Sequence, residues 1–169
     1  MPELARLAHL LRQSDDPENP DPEALRELLS HVRVVAVVGL SREPTKAARR
    51  VPSYLAAKGF DVIPVNPFAD RILGRTARAH LDQVPEAVDL VLVFRPSDEA
   101  GQVVMDAVER PEEPAIWLQE GILAPEATRK AREAGRTVVQ DLCIFKVHRS
   151  LAENRPEPPP SRHPASSGD

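Results

Sequence analysis

Five short apolar runs rich in Val, Ile and Leu recur along the chain, separated by segments of helical periodicity. The runs cover residues 32–38, 60–66, 88–94, 115–119 and 137–139. Near-continuous apolar runs of this length are typical of strands buried on both faces of a sheet. Between them, apolar residues at helical spacing predict helices over residues 49–58, 98–109 and 125–134. This alternation predicts an α/β protein with a three-layer Rossmann-like fold, in which helices cover both faces of a mostly parallel five-stranded sheet.

Glycine, proline and serine residues mark the boundaries of these elements. Gly59 ends the helix over 49–58, and we expect Pro52 in the first turn of that helix, where its missing N–H is tolerated. Pro67 ends the second strand, since proline cannot continue a central ladder. Ser97 is expected to cap the helix that follows it.

The chain divides into three parts, of which one is a domain with its own core. Residues 1–31 carry leucines at helical spacing, and Asp21 can cap a second helix there, so we expect an N-terminal helical segment that packs on the domain. Residues 32–151 form the Rossmann-like domain itself. The tail over residues 152–169 is rich in Pro, Ser and charged residues, and we expect it to be disordered.

Composition excludes several classes of protein. Apolar residues make up 41% of the chain but aromatic residues only 4%, so the core must be aliphatic. The net charge of −4 lacks the basic excess of nucleic-acid-binding surfaces. The single cysteine, Cys143, excludes an intrachain disulfide, and neither a signal peptide nor an apolar run near the roughly 20 residues of a membrane span is present. We expect a cytoplasmic protein that binds neither nucleic acid nor membranes.

A confined positive site is indicated after the first strand, although the whole chain is acidic. Between residues 39 and 59 there are five basic residues and one acidic residue; the basic ones are Arg42, Lys46, Arg49, Arg50 and Lys58. In an open parallel sheet the ligand lies beyond the carboxyl ends of the strands, beside strand one. The loop after that strand keeps only Gly39 of the G-x-G-x-x-G pattern, but its Ser41 hydroxyl and amide and its cations are suited to phosphate.

The end of the second strand narrows the class of ligand. A fold that binds NAD usually carries an acidic residue there, which holds the ribose hydroxyls. This chain has Asn66 followed by Pro67. Together with the basic loop, this pair favours a ribose that carries phosphate, and both NADP and coenzyme A (CoA) meet that description.

A series of short motifs resembles a known family. In order along the chain they are Val37–Ser41, Arg50–Val51, Gly59–Phe60, Val62–Pro67, Leu73–Gly74, Val93–Arg95, Trp117–Gly121 and Val139–Cys143. Their order and spacing resemble the small CoA-binding proteins related to the N-terminal CoA-binding domain of the succinyl-CoA synthetase α subunit. The resemblance runs from about Val34 to Leu151.

The resemblance implies a CoA-binding site at the carboxyl edge of the sheet. The loop residues Gly39, Leu40 and Ser41 would approach the diphosphate, and the cations Lys46, Arg49 and Arg50 would lie near phosphates. The turn formed by Val65, Asn66 and Pro67 would flank the adenosine. The rest of the cleft would be lined by Phe94, Arg95, Pro96, Gln119, Glu120 and Gly121. The implied ligand is CoA or an acyl-CoA.

We expect binding without catalysis and without a metal. The histidines, residues 9, 31, 80, 148 and 163, are scattered and lack a neighbouring acid or a glycine-rich phosphate motif. Cys143 is expected to pack in the core, Glu120 and Asp141 to order loops, and Tyr54 to face the sheet. Three alternatives stay open: an NADP-binding oxidoreductase, a component of an acyl-CoA synthetase or transferase completed by a partner chain, and a protein that has lost its ligand.

Overall fold

The computed structural model of the protein describes residues 2–152. The helices are α1 (Pro2–Gln13), α2 (Pro22–His31), α3 (Ala47–Ala57), α4 (Ser97–Val108), α5 (Pro125–Glu133) and α6 (Ile144–Ala152). The strands are β1 (Val34–Val38), β2 (Asp61–Val65), β3 (Arg71–Ile72), β4 (Arg75–Thr76), β5 (Leu90–Val93), β6 (Ala115–Leu118) and β7 (Val138–Val139). The predicted disordered tail, residues 152–169, lies outside the described residues except for Ala152.

Five strands form one parallel sheet in the order β2-β1-β5-β6-β7, and β3 pairs with β4 in a separate small hairpin. This confirms the predicted Rossmann-like α/β fold. In the register, Val37 lies between Pro64 of β2 and Leu92 of β5. Pro64 is tolerated inside β2 because β2 is an edge strand of this sheet, so its missing N–H breaks no central ladder.

Helices cover both faces of the sheet, and the alternation of side chains along β1 shows the two layers of core. Val35 and Val37 belong to the apolar cluster that includes α1, α2, α3 and α6. Ala36 and Val38 belong to the cluster under α4 and α5. Trp117 is fully buried in the first cluster, and its indole N–H donates to the carbonyl of Leu142 (2.7 Å), so it packs in the core.

Two expected helix starts are wrong. Helix α3 begins at Ala47, which places Pro52 inside the helix and not in its first turn. Proline leaves the carbonyl four residues earlier without its helical partner. Here that carbonyl, of Ala48, accepts a hydrogen bond from the amide of Ser41 (3.0 Å), which explains why the proline is tolerated.

Helix α4 begins at Ser97 itself, and its preceding residue Pro96 makes no side-chain cap. The Ser97 hydroxyl instead accepts from the amide of Leu123 (3.0 Å), which joins α4 to the loop before α5. Within residues 2–152, none of the helices has both the length and the apolar composition required to cross a bilayer.

Candidate functional site

The carboxyl ends of the strands meet at one edge of the sheet, and the segments named from the sequence follow them there. Gly39–Ser41 follows β1, Asn66–Pro67 follows β2, Phe94–Pro96 follows β5 and Gln119–Gly121 follows β6. The chain passes from β1 to β2 on one side and returns to β5 on the other. The switch point therefore lies between β1 and β5, where an open α/β sheet offers a crevice to a ligand.

Gly39 is the point of closest approach between the loops that follow β1 and β5. Its φ is +92°, and a Cβ built there would lie 3.0 Å from Arg95 Cδ and 3.2 Å from the Phe94 carbonyl carbon. Its amide donates to the carbonyl of Val65 (2.9 Å), so the three strand ends are tied together. Only glycine fits both the backbone conformation and the space at this position. Without a side chain there, the backbone at the floor of the crevice stays accessible to a ligand.

The loop after Gly39 is held against α3 by its own residues. The Ser41 amide donates to Ala48, and the Ser41 hydroxyl accepts from the amide of Glu43 (3.0 Å). The amide that the sequence suggested for phosphate is therefore already engaged. The hydroxyl hydrogen of Ser41 is left to donate to a ligand.

The cations of this loop differ in whether they have an acidic partner. Lys46 is exposed and pairs with Glu43 (3.2 Å). Within residues 2–152, neither Arg49 nor Arg50 has a carboxylate at ion-pair distance, and Arg49 Nε is buried without a hydrogen-bond partner. Because a buried guanidinium N–H without a partner is unfavourable, Arg49 is suited to meet an anion, and the exposed guanidinium of Arg50 is accessible to one.

Asn66 fixes the turn after β2. Its side-chain amide donates to the carbonyl of Leu40 (2.9 Å), and its side-chain oxygen accepts from the amide of Phe68 (2.7 Å). Its backbone amide donates to Arg78 (2.8 Å). Both ends of the side chain are thus occupied within the protein, so Asn66 shapes the turn that Pro67 and Phe68 present.

Two crevices at this edge are lined by site residues named from the sequence, one on each side of the sheet. The first has a volume of about 440 Å³ and lies on the side of α3 and α6. It brings together four residues named from the sequence: Arg50, Phe94, Gln119 and Glu120. Sequence reasoning missed its apolar lining, to which Val51, Ile122 and Phe145 contribute beside the buried Cys143.

The second crevice has a volume of about 340 Å³ and lies on the side of α4. It brings together Gly39, Val65, Pro67 and Arg95 from the sequence-based set. Sequence reasoning missed Phe68, His80, Glu99, Gln102 and Asp106. Two signals could have found part of this group: Phe68 adjoins the Asn66–Pro67 motif, and the last three residues recur at helical spacing on one face of α4.

Arg95 joins the second crevice to α4. Its guanidinium pairs with Glu99 in the first turn of α4, with Nε 2.8 Å from the carboxylate. Both side chains are partly exposed, so the pair adds little stability. It holds Arg95 across the carboxyl end of β5 and neutralises part of the positive charge there.

The segment after β6 orders the opposite end of the site. Gln119 is buried; its amide nitrogen donates to Cys143 Sγ (3.1 Å) and its oxygen accepts from the amide of Ile144 (3.2 Å), at the start of α6. Glu120 pairs with Lys146 (3.0 Å), and this hydrogen bond raises the pKa of the Lys146 ammonium group above its ordinary value. Gln119 therefore acts as a cap for α6, and Glu120 is held by a cation.

Asp141 connects this segment to the N-terminal part of the chain. One carboxylate oxygen accepts from the amide of Gly121 (2.6 Å), and the other accepts from the amide of Asp15 (2.8 Å). Asp141 has a φ of +57°, a left-handed conformation that aspartate tolerates better than most residues. The loop-ordering role expected for Asp141 is thus realised through two backbone amides.

A buried polar network lies next to Asp141. The carboxylate of Asp16 accepts from Arg132 (3.0 Å) and from the side chain of Gln140 (2.9 Å). Burial raises the pKa of the Asp16 carboxyl group, but the hydrogen bonds from Arg132, the Glu18 amide and Gln140 outweigh burial and lower it overall. The network fastens the segment after α1 to the end of β7.

Tyr54 contacts α6. Its hydroxyl lies 2.7 Å from Nδ1 of His148, and its ring meets Phe145 edge to face at 4.7 Å. Tyr54 also packs against the first apolar cluster, on the face of the sheet that α3 and α6 cover, in agreement with its expected orientation.

Comparison with known proteins agrees with this geometry. The pattern of the CoA-binding domain family matches residues 33–149, more than half of the chain. The chain belongs to this family. This confirms the resemblance inferred from the motifs, and the CoA-binding domain accounts for the whole parallel sheet.

Relatives of the CoA-binding domain occur both alone and inside larger enzymes. The chain is 36% identical to the uncharacterized protein YneT of Bacillus subtilis, over 78% of this chain and 96% of that protein. It is similar to the solved structure of cell-free ID.343 from Thermus thermophilus, with a TM-score of 0.71 and 37% identity over 76% of this chain and 97% of that one. It is also 29% identical to the ADP-forming acetate–CoA ligase II of Archaeoglobus fulgidus over 73% of this chain, which spans only 18% of that ligase.

Proposed function

We propose that this protein binds CoA or an acyl-CoA at the carboxyl edge of its sheet and has no catalytic activity of its own. The observation that carries the proposal is at the carboxyl edge of the sheet, where Gly39 leaves the backbone after β1 open and Arg50 lines the crevice on the side of α3 without a carboxylate of the described residues at ion-pair distance. Arg49 precedes Arg50 in the first turn of α3. Membership of the CoA-binding domain family supports CoA as the ligand.

The diphosphate is assigned to the loop between β1 and α3. The Ser41 hydroxyl can donate to one phosphate oxygen, while Arg49 and Arg50 supply charge from the first turn of α3, whose positive dipole end also favours anions. Arg49 Nε gains a partner in this arrangement, which removes the unfavourable state of a buried N–H without a hydrogen bond.

The pantetheine arm is assigned to the first crevice. Its walls are mostly apolar, with Phe94 and Ile122 among them, and Arg50 lies at the same crevice. A flexible chain with few polar groups fits such a lining, because burial of its methylene groups is favourable and its charged end stays near the arginine.

The absence of catalysis is proposed from the surroundings of the candidate groups. Gln119 and Glu120 are engaged with α6. His80 lies before the 3₁₀ turn over Leu81–Gln83, and its backbone amide donates to the side-chain oxygen of Gln83 (3.1 Å). His163 lies outside the described residues. Of the carboxylates that line the second crevice with His80, Glu99 pairs with Arg95 and Asp106 accepts from Gln102. Both carboxylates are therefore engaged with other side chains, which favours binding over acid–base chemistry.

Titration calorimetry with CoA, dephospho-CoA and NADP tests the proposal. We expect CoA to bind most tightly, and dephospho-CoA to bind more weakly because it lacks the 3′-phosphate. Thermal unfolding gives a second measure: CoA at about 100 times its Kd stabilises the native state by about 2.7 kcal/mol. The proposal is wrong if CoA binds no better than NADP, or if removal of the 3′-phosphate changes nothing.

A second candidate is a component of an acyl-CoA ligase that another chain completes. It is favoured by the similarity to part of the acetate–CoA ligase, of which this chain spans only a fraction. Affinity purification of the tagged full chain tests it: a co-purifying ligase subunit, and a mixture that converts ATP, CoA and a carboxylic acid to ADP, inorganic phosphate and acyl-CoA, would support it. Purification of the chain alone, with no such activity, would contradict it.

A further inference from the structure

Phe68 stands apart from the rest of the apolar side chains. It is 79% exposed, and among residues 2–152 it is the large hydrophobic residue left in solvent. Exposure of single apolar residues is common on protein surfaces. Phe68, however, lines the second crevice beside Gly39, which makes its exposure relevant to ligand binding.

The backbone at Phe68 is fixed before any ligand arrives. Its amide donates to the side chain of Asn66 (2.7 Å), and Asn66 is itself tied to the carbonyl of Leu40 (2.9 Å). The turn therefore connects Phe68 to the loop that follows β1. Since the backbone is already ordered, a ligand that packs against Phe68 has only the side chain left to immobilise.

The opposite wall of the crevice is polar. Gln102 and Asp106 lie one turn apart on α4 and are hydrogen bonded to each other (2.8 Å). Carboxamide and carboxylate groups are the side chains that hydrogen bond to the edge of an adenine base. An apolar ring on one side and such groups on the other suit a flat aromatic ligand with a polar edge.

We propose that Phe68 is a stacking residue for the adenine base, and that it contributes to CoA binding through the nucleotide end of the ligand. This inference rests on the proposed function. In this fold the end of β2 adjoins the ribose of the bound nucleotide, and Phe68 is three residues beyond that strand. The pantetheine arm contains no ring, so only the adenine end can use the Phe68 face.

Calorimetry on Phe68→Ala and Phe68→Tyr with three probes tests the assignment. Base–aromatic stacking is worth enough that loss of the ring should weaken CoA binding about 10-fold to 100-fold. Adenosine 3′,5′-bisphosphate should lose the same factor, whereas 4′-phosphopantetheine should bind the variant as it binds the wild type. Phe68→Tyr keeps a ring and should stay within about threefold of the wild type for all probes.

Ile122→Ala in the first crevice is the matched control, and its predicted loss is confined to CoA and 4′-phosphopantetheine. Since Phe68 is exposed, its removal should leave the melting temperature unchanged. Wild-type affinity of Phe68→Ala for CoA, or equal losses for CoA and 4′-phosphopantetheine, would overturn the stacking role while CoA binding by the wild type stands. If the wild-type chain binds no CoA at all, the proposed function fails and the stacking role fails with it.

Discussion

The close approach at Gly39 can be tested by adding a single methyl group. Gly39→Ala places a Cβ 3.2 Å from the carbonyl carbon and 3.3 Å from the carbonyl oxygen of Phe94, both of which are backbone atoms. Arg95 Cδ lies at 3.0 Å, but a flexible side chain can move away. The backbone that follows β5 cannot move away in the same way, because the amide of Phe94 donates a hydrogen bond to the carbonyl of Val38 (2.9 Å).

Two separate effects should destabilise this variant. A side chain at a φ of +92° costs about 1 to 3 kcal/mol in backbone strain. The forced contact with Phe94 adds about 1 to 3 kcal/mol, as overpacking of a closely packed site usually does. Gly59→Ala is the matched control, since Gly59 has a φ of +97° but nothing within 4 Å of its added Cβ.

Thermal unfolding followed by circular dichroism separates the two effects. For a chain of this size, 1 kcal/mol corresponds to about 2 to 4 °C in Tm, so Gly39→Ala should melt about 2 to 12 °C below Gly59→Ala. Equal melting temperatures for the two variants would refute the reasoning, because strain alone would then account for both. Such a result would mean that β1 and β5 leave room for a side chain between their loops.

Three more predictions concern charge and polar contacts. Arg49→Ala and Arg50→Ala should each weaken CoA binding about 10-fold by calorimetry, an effect that salt reduces, whereas Arg33→Ala at the opposite end of β1 should change nothing. Because the pKa of Asp16 is lowered in the folded state, its stabilising effect is complete above the ordinary value of 3.8 and is lost as pH falls through the folded-state pKa. Urea unfolding should therefore show Asp16→Asn to be destabilised by about 1 to 3 kcal/mol at pH 7 and by less at pH 3, and equal losses would contradict this. Asp141→Ala should speed hydrogen exchange at the Gly121 and Asp15 amides and lower Tm, and unchanged exchange at both would contradict it.

The strands were predictable because a strand buried on both faces needs a short, near-continuous run of apolar residues, which is visible in the local sequence. Each of the five apolar runs contains its strand, and the edge of the sheet at which their loops meet follows from the parallel arrangement. The helix starts were less predictable because partners distant in sequence decide them. Pro52 is tolerated inside α3 through the amide of Ser41, and the Ser97 hydroxyl is used by Leu123 instead of by α4.

Helix α6 shows that contacts between residues distant in sequence also limited the prediction of the candidate site. It is short, and its first amide is capped by Gln119, which lies 25 residues earlier in the chain. No pattern in the neighbouring sequence predicts that contact. The contribution of α6 to the lining of the first crevice was therefore missed. The residues that end the strands were found from the sequence, but the division of the edge into two crevices depends on how α4 and α6 pack above it.

Asp141 shows how the N-terminal segment becomes part of the site. A single carboxylate holds the amide of Gly121 at the site and the amide of Asp15 after α1, so both segments depend on the same group. Asp16 follows Asp15 in the segment after α1, and its carboxylate accepts hydrogen bonds from Arg132 and Gln140. Because a shared acceptor couples the two amides, loss of order in one segment weakens the other. Faster exchange of both amides in the Asp141 variant would therefore mean that the segment after α1 and the segment after β6 are held by the same carboxylate.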